Sequence, residues 1–77
     1  MSIRVKFFAS LREKIGRDEA RLESAAPLTV ADVWTKVCEN AALPPNMLMA
    51  VNMNYVDNSA LVRDGDEVAF FPPVTGG

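Results

Sequence analysis

The sequence has 77 residues, of which 49% are hydrophobic, and its formal net charge is −2. A chain of this length supports one domain, because a core of this size buries only about 60% of the surface that the unfolded chain exposes. With one cysteine, Cys38, and no histidine, the composition argues against an internal disulfide and against a self-sufficient hydrolytic or metal enzyme. The acidic balance disfavours nucleic acid as a partner. The N-terminus has neither a signal-peptide pattern nor the roughly 20 apolar residues of a membrane span, so a cytoplasmic protein is expected.

The first third of the sequence predicts a strand, a short helix and a second strand. Ile3 to Phe8 alternates apolar and charged residues, with the period of two that turns one strand face toward a core. A capping box at Ser10 and a left-handed residue at Gly16 delimit a predicted helix, or an ordered loop, from Ser10 to Ile15. Glu19 to Glu23 alternates weakly and is predicted to be a strand at a sheet edge.

The clearest helix begins after Thr29, the predicted N-cap, with Asp32 at its third position. Its apolar residues recur at helical spacing from Val30 to Ala41 and form a single stripe. Because β-branched valines in the stripe lower helix propensity, this helix is expected to depend on packing against a sheet. Trp34 and Cys38 lie on the stripe and are predicted to be core residues rather than a ligand-stacking ring and a sulfur-handling thiol.

A hairpin is predicted after the main helix. Pro44-Pro45 closes the connection, and Leu48 to Asn52 and Tyr55 to Asp57 are predicted strands around a tight link at Met53-Asn54. The methionines of this region are predicted to be packing residues rather than metal ligands: Met47, Met49 and Met53.

The last predicted strand completes the fold class. Asp64-Gly65-Asp66 is a strong turn signal, and Glu67 to Phe71 follows it as a strand that Pro72 ends. The element order predicts an α+β fold, a ubiquitin-like β-grasp roll with a mixed sheet of four or five strands packed on one main helix. The first and last strands are expected to be parallel neighbours at the sheet centre. Residues 1–71 are assigned to this domain and residues 72–77 to an extended tail.

Successive side chains along a strand point to opposite faces of the sheet, and this parity assigns the side chains of the first and last strands to the two faces. Those expected to face the helix are Ile3, Val5, Phe7, Val68 and Phe70. Phe8 and Phe71 then lie on the opposite face, and together with Tyr55 they are predicted to form an apolar anchor for partner proteins. A peripheral core filled by Phe8 or Tyr55 is the alternative. Arg12 is either an ordinary solvated charge or a partner contact.

The tail is the most informative segment, with the sequence Pro72-Pro73-Val74-Thr75-Gly76-Gly77. Prolines favour an extended, unpaired chain, and six residues reach about 20 Å. Glycines without Cβ atoms fit a narrow channel in a partner. A carboxylate at Gly77 becomes electrophilic once an enzyme joins it to a leaving group such as AMP, and a thiocarboxylate made from it is a nucleophile. The sequence therefore predicts a carrier that works through Gly77, against the alternative of a frayed end.

The sequence resembles a known family, most strongly at its two ends. Asp64 to Gly77 is similar to the C-terminal signature of the small subunit of molybdopterin synthase, and Val5 to Ala9 and Leu11 to Glu13 resemble that family's opening. The similarity covers the full length. It is also strong around Ala50 to Asn52 and is weak from Arg17 to Met47.

The resemblance implies a sulfur carrier in molybdenum cofactor biosynthesis. An adenylyltransferase related to ubiquitin-activating enzymes would use ATP to adenylate Gly77, and a sulfur donor protein would convert the adenylate to a thiocarboxylate. The carrier would then pass sulfur to cyclic pyranopterin monophosphate in the large synthase subunit, where two transfers create a dithiolene. A heterotetramer with that subunit is implied, with the catalytic pocket mostly in the partner.

The chain itself is expected to bind no cofactor, metal or membrane. Three other functions stay open: a thiamine-pathway sulfur carrier, a protein modifier that forms isopeptides through Gly77, and a noncatalytic ubiquitin-like adaptor.

Overall fold

The structure is a computed structural model that describes residues 2–38 and 46–72. Within these ranges the chain forms seven strands and two helices. The strands are β1 (Ile3–Phe7), β2 (Glu19–Leu22), β3 (Leu28–Thr29), β4 (Leu48–Val51), β5 (Asn54–Val56), β6 (Leu61–Val62) and β7 (Glu67–Phe71). The helices are α1 (Ser10–Ile15) and α2 (Val30–Val37).

Five strands form one mixed sheet in the order β2-β1-β7-β4-β5. β1 and β7 are parallel neighbours, and β7 is the central strand, as the sequence predicts. The other pairs of this sheet are antiparallel, and β2 lies at an edge. This mixed sheet with one main helix is the ubiquitin-like β-grasp arrangement.

The core lies between this sheet and α2. The five side chains that parity assigns to the helix side are all buried, which confirms the predicted face of β1 and β7. Trp34 is also buried and sits edge-on to two rings, with centroids 6.2 Å from Phe7 and 5.0 Å from Phe70. Such edge-to-face pairs add about 0.5–1.5 kcal/mol beyond the apolar area they bury. Trp34 is therefore the core residue that its helical spacing predicts.

The start of α2 is fixed by the predicted capping box. Thr29 Oγ1 accepts a hydrogen bond from the Asp32 backbone N–H at 3.1 Å, and Asp32 Oδ2 accepts one from the Thr29 N–H at 3.4 Å. At the other end, the Arg17 guanidinium donates to the Val37 carbonyl at 2.9 Å. α2 ends at Val37 with Cys38 as its C-cap, whose N–H donates to the Trp34 carbonyl at 2.9 Å, so the helix is shorter than the predicted run to Ala41. Residues 39–45, which include Pro44-Pro45, lie outside the described residues.

α1 has the predicted bounds, but its predicted capping box is wrong. Ala9, not Ser10, occupies the N-cap position at φ 55° and ψ −133°, and no side chain caps the helix. The Arg12 N–H instead donates to the Ala9 carbonyl at 3.1 Å. The other end is as predicted, since Gly16 is left-handed at φ 88° and donates to the Arg12 carbonyl at 3.0 Å.

The β4–β5 hairpin turns one residue earlier than predicted. Val51 pairs with Asn54, so the two-residue turn is Asn52-Met53 rather than Met53-Asn54. Met53 is 93% exposed, which makes its predicted packing role wrong, whereas Met47 and Met49 are buried as expected. The sequence also gave no signal for the pairing of β3 with β6, because two-residue strands are too short to show a period of two.

We expect Thr29→Ala to lower the free energy of unfolding by about 1 kcal/mol, because it removes the side-chain acceptor of the α2 capping box. For a chain of this size that corresponds to a melting temperature lower by about 4–8 °C. Thr35→Ala is the matched control: its hydroxyl donates to the Ala31 carbonyl inside the helix at 3.1 Å, where alanine is a better helix former. Thermal melts followed by circular dichroism would contradict the capping role if both variants melted alike.

Candidate functional site

The face of the five-stranded sheet that points away from α2, here called the outer face, carries the candidate site. The register puts Lys6 of β1 beside Ala69 of β7, Ala69 beside Ala50 of β4, and Ala50 beside Tyr55 of β5. In the next row, Phe71 of β7 pairs with Leu48 of β4. The outer face therefore changes from charged on the β1 side to apolar on the β4–β5 side.

Three rings gather on the outer face at the end of the central strand. Phe8 stacks on Phe71 with the ring centroids 4.8 Å apart and the planes 11° apart, and the ring of Tyr55 lies 6.3 Å from Phe71. These residues are called the aromatic cluster below. Phe8 is 40% exposed and Tyr55 is 74% exposed, so neither fills a peripheral core. Exposed stacked aromatics of this kind are typical of interface centres.

The aromatic cluster borders a pocket of about 390 Å³ on the outer face. Ala50 and Ala69 face each other across β4 and β7, and their small side chains form the floor. The walls are Lys6, Phe8, Met53, Tyr55, Glu67 and Phe71. The pocket has the size to accept an apolar side chain, because small residues lie between larger ones.

A charged cluster closes the β1 side of this pocket. Lys6 Nζ lies 3.1 Å from Glu67 Oε1, and Arg4 Nη2 lies 3.8 Å from Glu67 Oε2. Exposed pairs of this kind contribute at most about 1 kcal/mol to stability. Their main consequence here is that the carboxylate beside the pocket is already paired with cations.

The tip of the β4–β5 hairpin is fixed to the start of β7. The Asn52 side chain donates to Asp66 Oδ1 at 3.0 Å and accepts from the Glu67 N–H at 3.0 Å, and its own N–H donates to the Glu67 carbonyl at 2.8 Å. The pKa of the Asp66 carboxyl is lowered from its usual value, mainly by a hydrogen bond from the Arg63 backbone N–H and to a smaller extent by the hydrogen bond from the Asn52 side chain. These bonds hold the turn, and with it Met53, beside the pocket.

Cys38 is a packing residue, as its helical spacing predicts. Its side chain is half-buried against the core. Burial raises the pKa of the Cys38 thiol, and the nearby Arg17 charge offsets only part of that rise. Since the thiolate is the reactive form, the environment of Cys38 disfavours sulfur chemistry at this residue.

The described part of the chain shows two further absences. No helix within residues 2–38 and 46–72 is long and apolar enough to cross a membrane. In the same ranges, no group of three or more His, Cys, Asp or Glu residues is placed to hold a metal ion.

The structure brings together only part of the predicted site. Phe8, Tyr55 and Phe71 form one cluster, and the next residue, Pro72, is half-buried. The role of these four residues as partner contacts stays a prediction. The remaining predicted site residues lie outside the described residues: Pro73, Val74, Thr75, Gly76 and Gly77. The sequence analysis missed Leu48, which is 37% exposed beside Phe71, although alternation along β4 would have placed it on the outer face.

Comparisons with known proteins agree over nearly the whole chain. Residues 5–77 match the ThiS family. The molybdopterin synthase sulfur carrier subunit of Escherichia coli (strain K12) is 40% identical over an alignment of 84 positions, gaps included, which covers 97% of this chain and 99% of that protein.

Two solved structures share the fold over nearly their full lengths. SAMP1 from Haloferax volcanii, a small archaeal modifier protein, superposes with a TM-score of 0.80 at 26% identity and full coverage of both chains. The putative molybdopterin converting factor, subunit 1, from Pyrococcus furiosus has a TM-score of 0.75 at 28% identity, covering 96% of this chain and 99% of that one.

Two neighbouring phenylalanines on opposite faces of β7 provide a test of the outer face. Phe70→Ala is expected to cost about 3–5 kcal/mol, because the buried ring leaves a cavity. Phe71→Ala is expected to cost about 1 kcal/mol, the size of one aromatic contact, because its ring lies on the half-exposed face. Urea unfolding measures both, and equal losses would show that Phe71 belongs to the core.

Proposed function

Because the chain belongs to the ThiS family, we propose that it is a sulfur carrier and serves as the small subunit of a molybdopterin synthase. The identity to the Escherichia coli carrier subunit over nearly both full lengths supports this choice within the family. So does the resemblance of Asp64 to Gly77 to the signature of such subunits.

One observation carries the proposal. Phe71 is the last residue of the central strand, a member of the aromatic cluster and the residue before the segment Pro72-Pro73-Val74-Thr75-Gly76-Gly77. Six residues span at most about 20 Å. A protein that holds Gly77 in its catalytic pocket therefore has to come close to the aromatic cluster. The cluster supplies the apolar anchor that such a partner needs.

The proposed chemistry begins at the carboxylate of Gly77, which we take to be free in the working protein. A carboxylate oxygen attacks the α-phosphorus of ATP on a partner adenylyltransferase, and pyrophosphate leaves. Hydrosulfide released by a sulfur donor protein then attacks the acyl carbon, AMP leaves, and a thiocarboxylate remains. The tail from Pro72 to Gly76 carries this group into a partner channel that excludes water, which would hydrolyse the adenylate.

Delivery of the sulfur takes place in the large synthase subunit. The thiocarboxylate sulfur attacks an electrophilic carbon of cyclic pyranopterin monophosphate and displaces an oxygen substituent from it, which forms a thioester. Water then cleaves the acyl–sulfur bond, so that sulfur stays on the pterin and the carboxylate of Gly77 is returned for another cycle. Two such transfers create the dithiolene. We assign the binding of the pterin and the acid-base groups to the large subunit, in a heterotetramer that contains the aromatic cluster at its interfaces.

We place this cycle in the cytoplasm, where ATP is available for adenylation. A single half-buried cysteine fits a reducing compartment, since secreted domains of this size usually depend on disulfides.

The fold similarity to SAMP1 favours one second candidate, a protein modifier. In that case the same adenylate of Gly77 would be attacked by a lysine amine, and the product would be an isopeptide. The two functions share activation and differ in the nucleophile that ends the reaction. Lysine adducts on immunoblots would identify the modifier.

Intact-mass spectrometry tests the proposed carrier. After incubation with the adenylyltransferase, ATP and a sulfide source, the full chain is expected to gain the mass difference between sulfur and oxygen at Gly77. A variant without Gly76 and Gly77 is the control and is expected to gain nothing. Failure of the intact chain to gain sulfur, or full synthase activity of the shortened variant, would contradict the proposal.

Phe71→Ala is expected to weaken binding to the large subunit by at least about thirtyfold, because truncation of an aromatic anchor costs about 2 kcal/mol or more. Leu61→Ala is the matched control, since Leu61 is a 56% exposed apolar residue of β6 in the other sheet. Isothermal titration calorimetry gives both affinities. The docking role of the outer face would be refuted by a large loss for Leu61→Ala and none for Phe71→Ala.

A further inference from the structure

The turn between β4 and β5 has an unusual residue at its second position. Asn52 and Met53 both have positive φ, 50° and 71°, as a two-residue turn of the mirror-image kind requires. Asparagine tolerates this conformation, but glycine is strongly preferred at the second position because L side chains are strained there. Methionine is therefore a locally unfavourable choice for this turn.

The side chain of Met53 is also unfavourably solvated. It is 93% exposed, so no burial within the described chain compensates for the backbone strain. Met53 is nevertheless one of the residues that line the pocket above Ala50 and Ala69. The Asn52 hydrogen bonds to Asp66 and Glu67 keep the turn at the pocket wall. A flexible apolar side chain is thus held on a fixed support beside an apolar pocket.

The chemistry of methionine suits a contact formed on docking. Its unbranched thioether side chain adapts to irregular apolar surfaces, and methionine is enriched in interface cores. The pocket is continuous with the aromatic cluster, because Phe8, Tyr55 and Phe71 are among its walls. A partner anchored on that cluster would also cover Met53.

The charges around the pocket favour a stable, apolar interface. Glu67 is paired with Lys6 and lies near Arg4, so covering the pocket would not bury an unpaired carboxylate. Long-lived complexes have more apolar interfaces than transient encounters do. The occupant that fits this surface is therefore the large subunit, with which the carrier forms its lasting complex under the proposed function.

We propose that Met53 is a docking contact for the large subunit. An apolar side chain of the large subunit enters the pocket above Ala50 and Ala69, and the Met53 side chain packs over it. This inference rests on the proposed function and adds a residue whose strained turn conformation is retained for binding rather than for stability.

The test compares Met53→Gly with Met53→Leu in the full-length chain, using thermal melting and calorimetric titration with the purified large subunit. Met53→Gly is expected to melt about 2–5 °C higher, because glycine relieves the strain at positive φ. It is also expected to bind about tenfold more weakly, because an apolar contact is lost. Met53→Leu retains the apolar bulk and is expected to bind within about threefold of the unsubstituted chain. In Met53→Gly the melting temperature thus rises while the affinity for the large subunit falls, and substitution of a residue with a merely structural role would not produce this combination.

Three results would overturn this inference. Unchanged affinity of Met53→Gly for the large subunit would make Met53 a turn residue only. Equal losses of affinity in both variants would show that apolar bulk at this position is not what binds. A lower melting temperature for Met53→Gly would show that the positive φ of Met53 is not strained. The unsubstituted chain separates this inference from the proposed function. If it binds the large subunit and gains sulfur at Gly77, the proposed function stands whatever the Met53 variants do. If it does neither, the proposed function fails first.

Discussion

The parallel pairing of β1 with β7 is the constraint on which the rest of the structure depends. It aligns Val5 with Val68 and Phe7 with Phe70, and so provides the buried surface on which α2 packs. Because parallel strands end at the same sheet edge, it also brings Phe8 beside Phe71. One backbone register therefore builds the core and the aromatic cluster, and it places the exit of the chain at Pro72 next to that cluster.

The core and the proposed docking surface are two faces of the same strands, so a chain of 77 residues uses one sheet for both. Phe70 contributes to the core and Phe71 to the outer face, although they are neighbours in sequence. The hydrogen bonds of Asn52 extend the rigid part of the surface to the hairpin tip. A partner would meet a surface that is largely formed before docking, and this limits the conformational entropy lost on association.

Where apolar residues repeat over several strand positions or several helical turns, the sequence was enough to predict most of the fold. Alternation along β1 and β7 and the stripe of α2 predict their buried faces, and the Thr29 capping box predicts where α2 begins. Shorter features were not predictable in the same way. The N–H of Phe8, next to Ala9, donates to the Phe70 carbonyl, and Asn52 bonds to Asp66 and Glu67. Local sequence does not encode these contacts with distant segments, and it favoured the wrong cap and the wrong turn. Parity also predicted that Phe8 and Phe71 meet, whereas the pocket over Ala50 and Ala69 required the register between strands distant in sequence.

The central claim is that the outer face, rather than the helical face, receives the protein that takes up Gly77. Nuclear magnetic resonance titration of the ¹⁵N-labelled full chain with the unlabelled large subunit tests it most directly. The account predicts that backbone amide signals of Phe8, Tyr55, Ala69 and Phe71 shift or broaden, while those along α2 stay in place. Perturbations concentrated on α2, with the signals of the outer face unchanged, would contradict it.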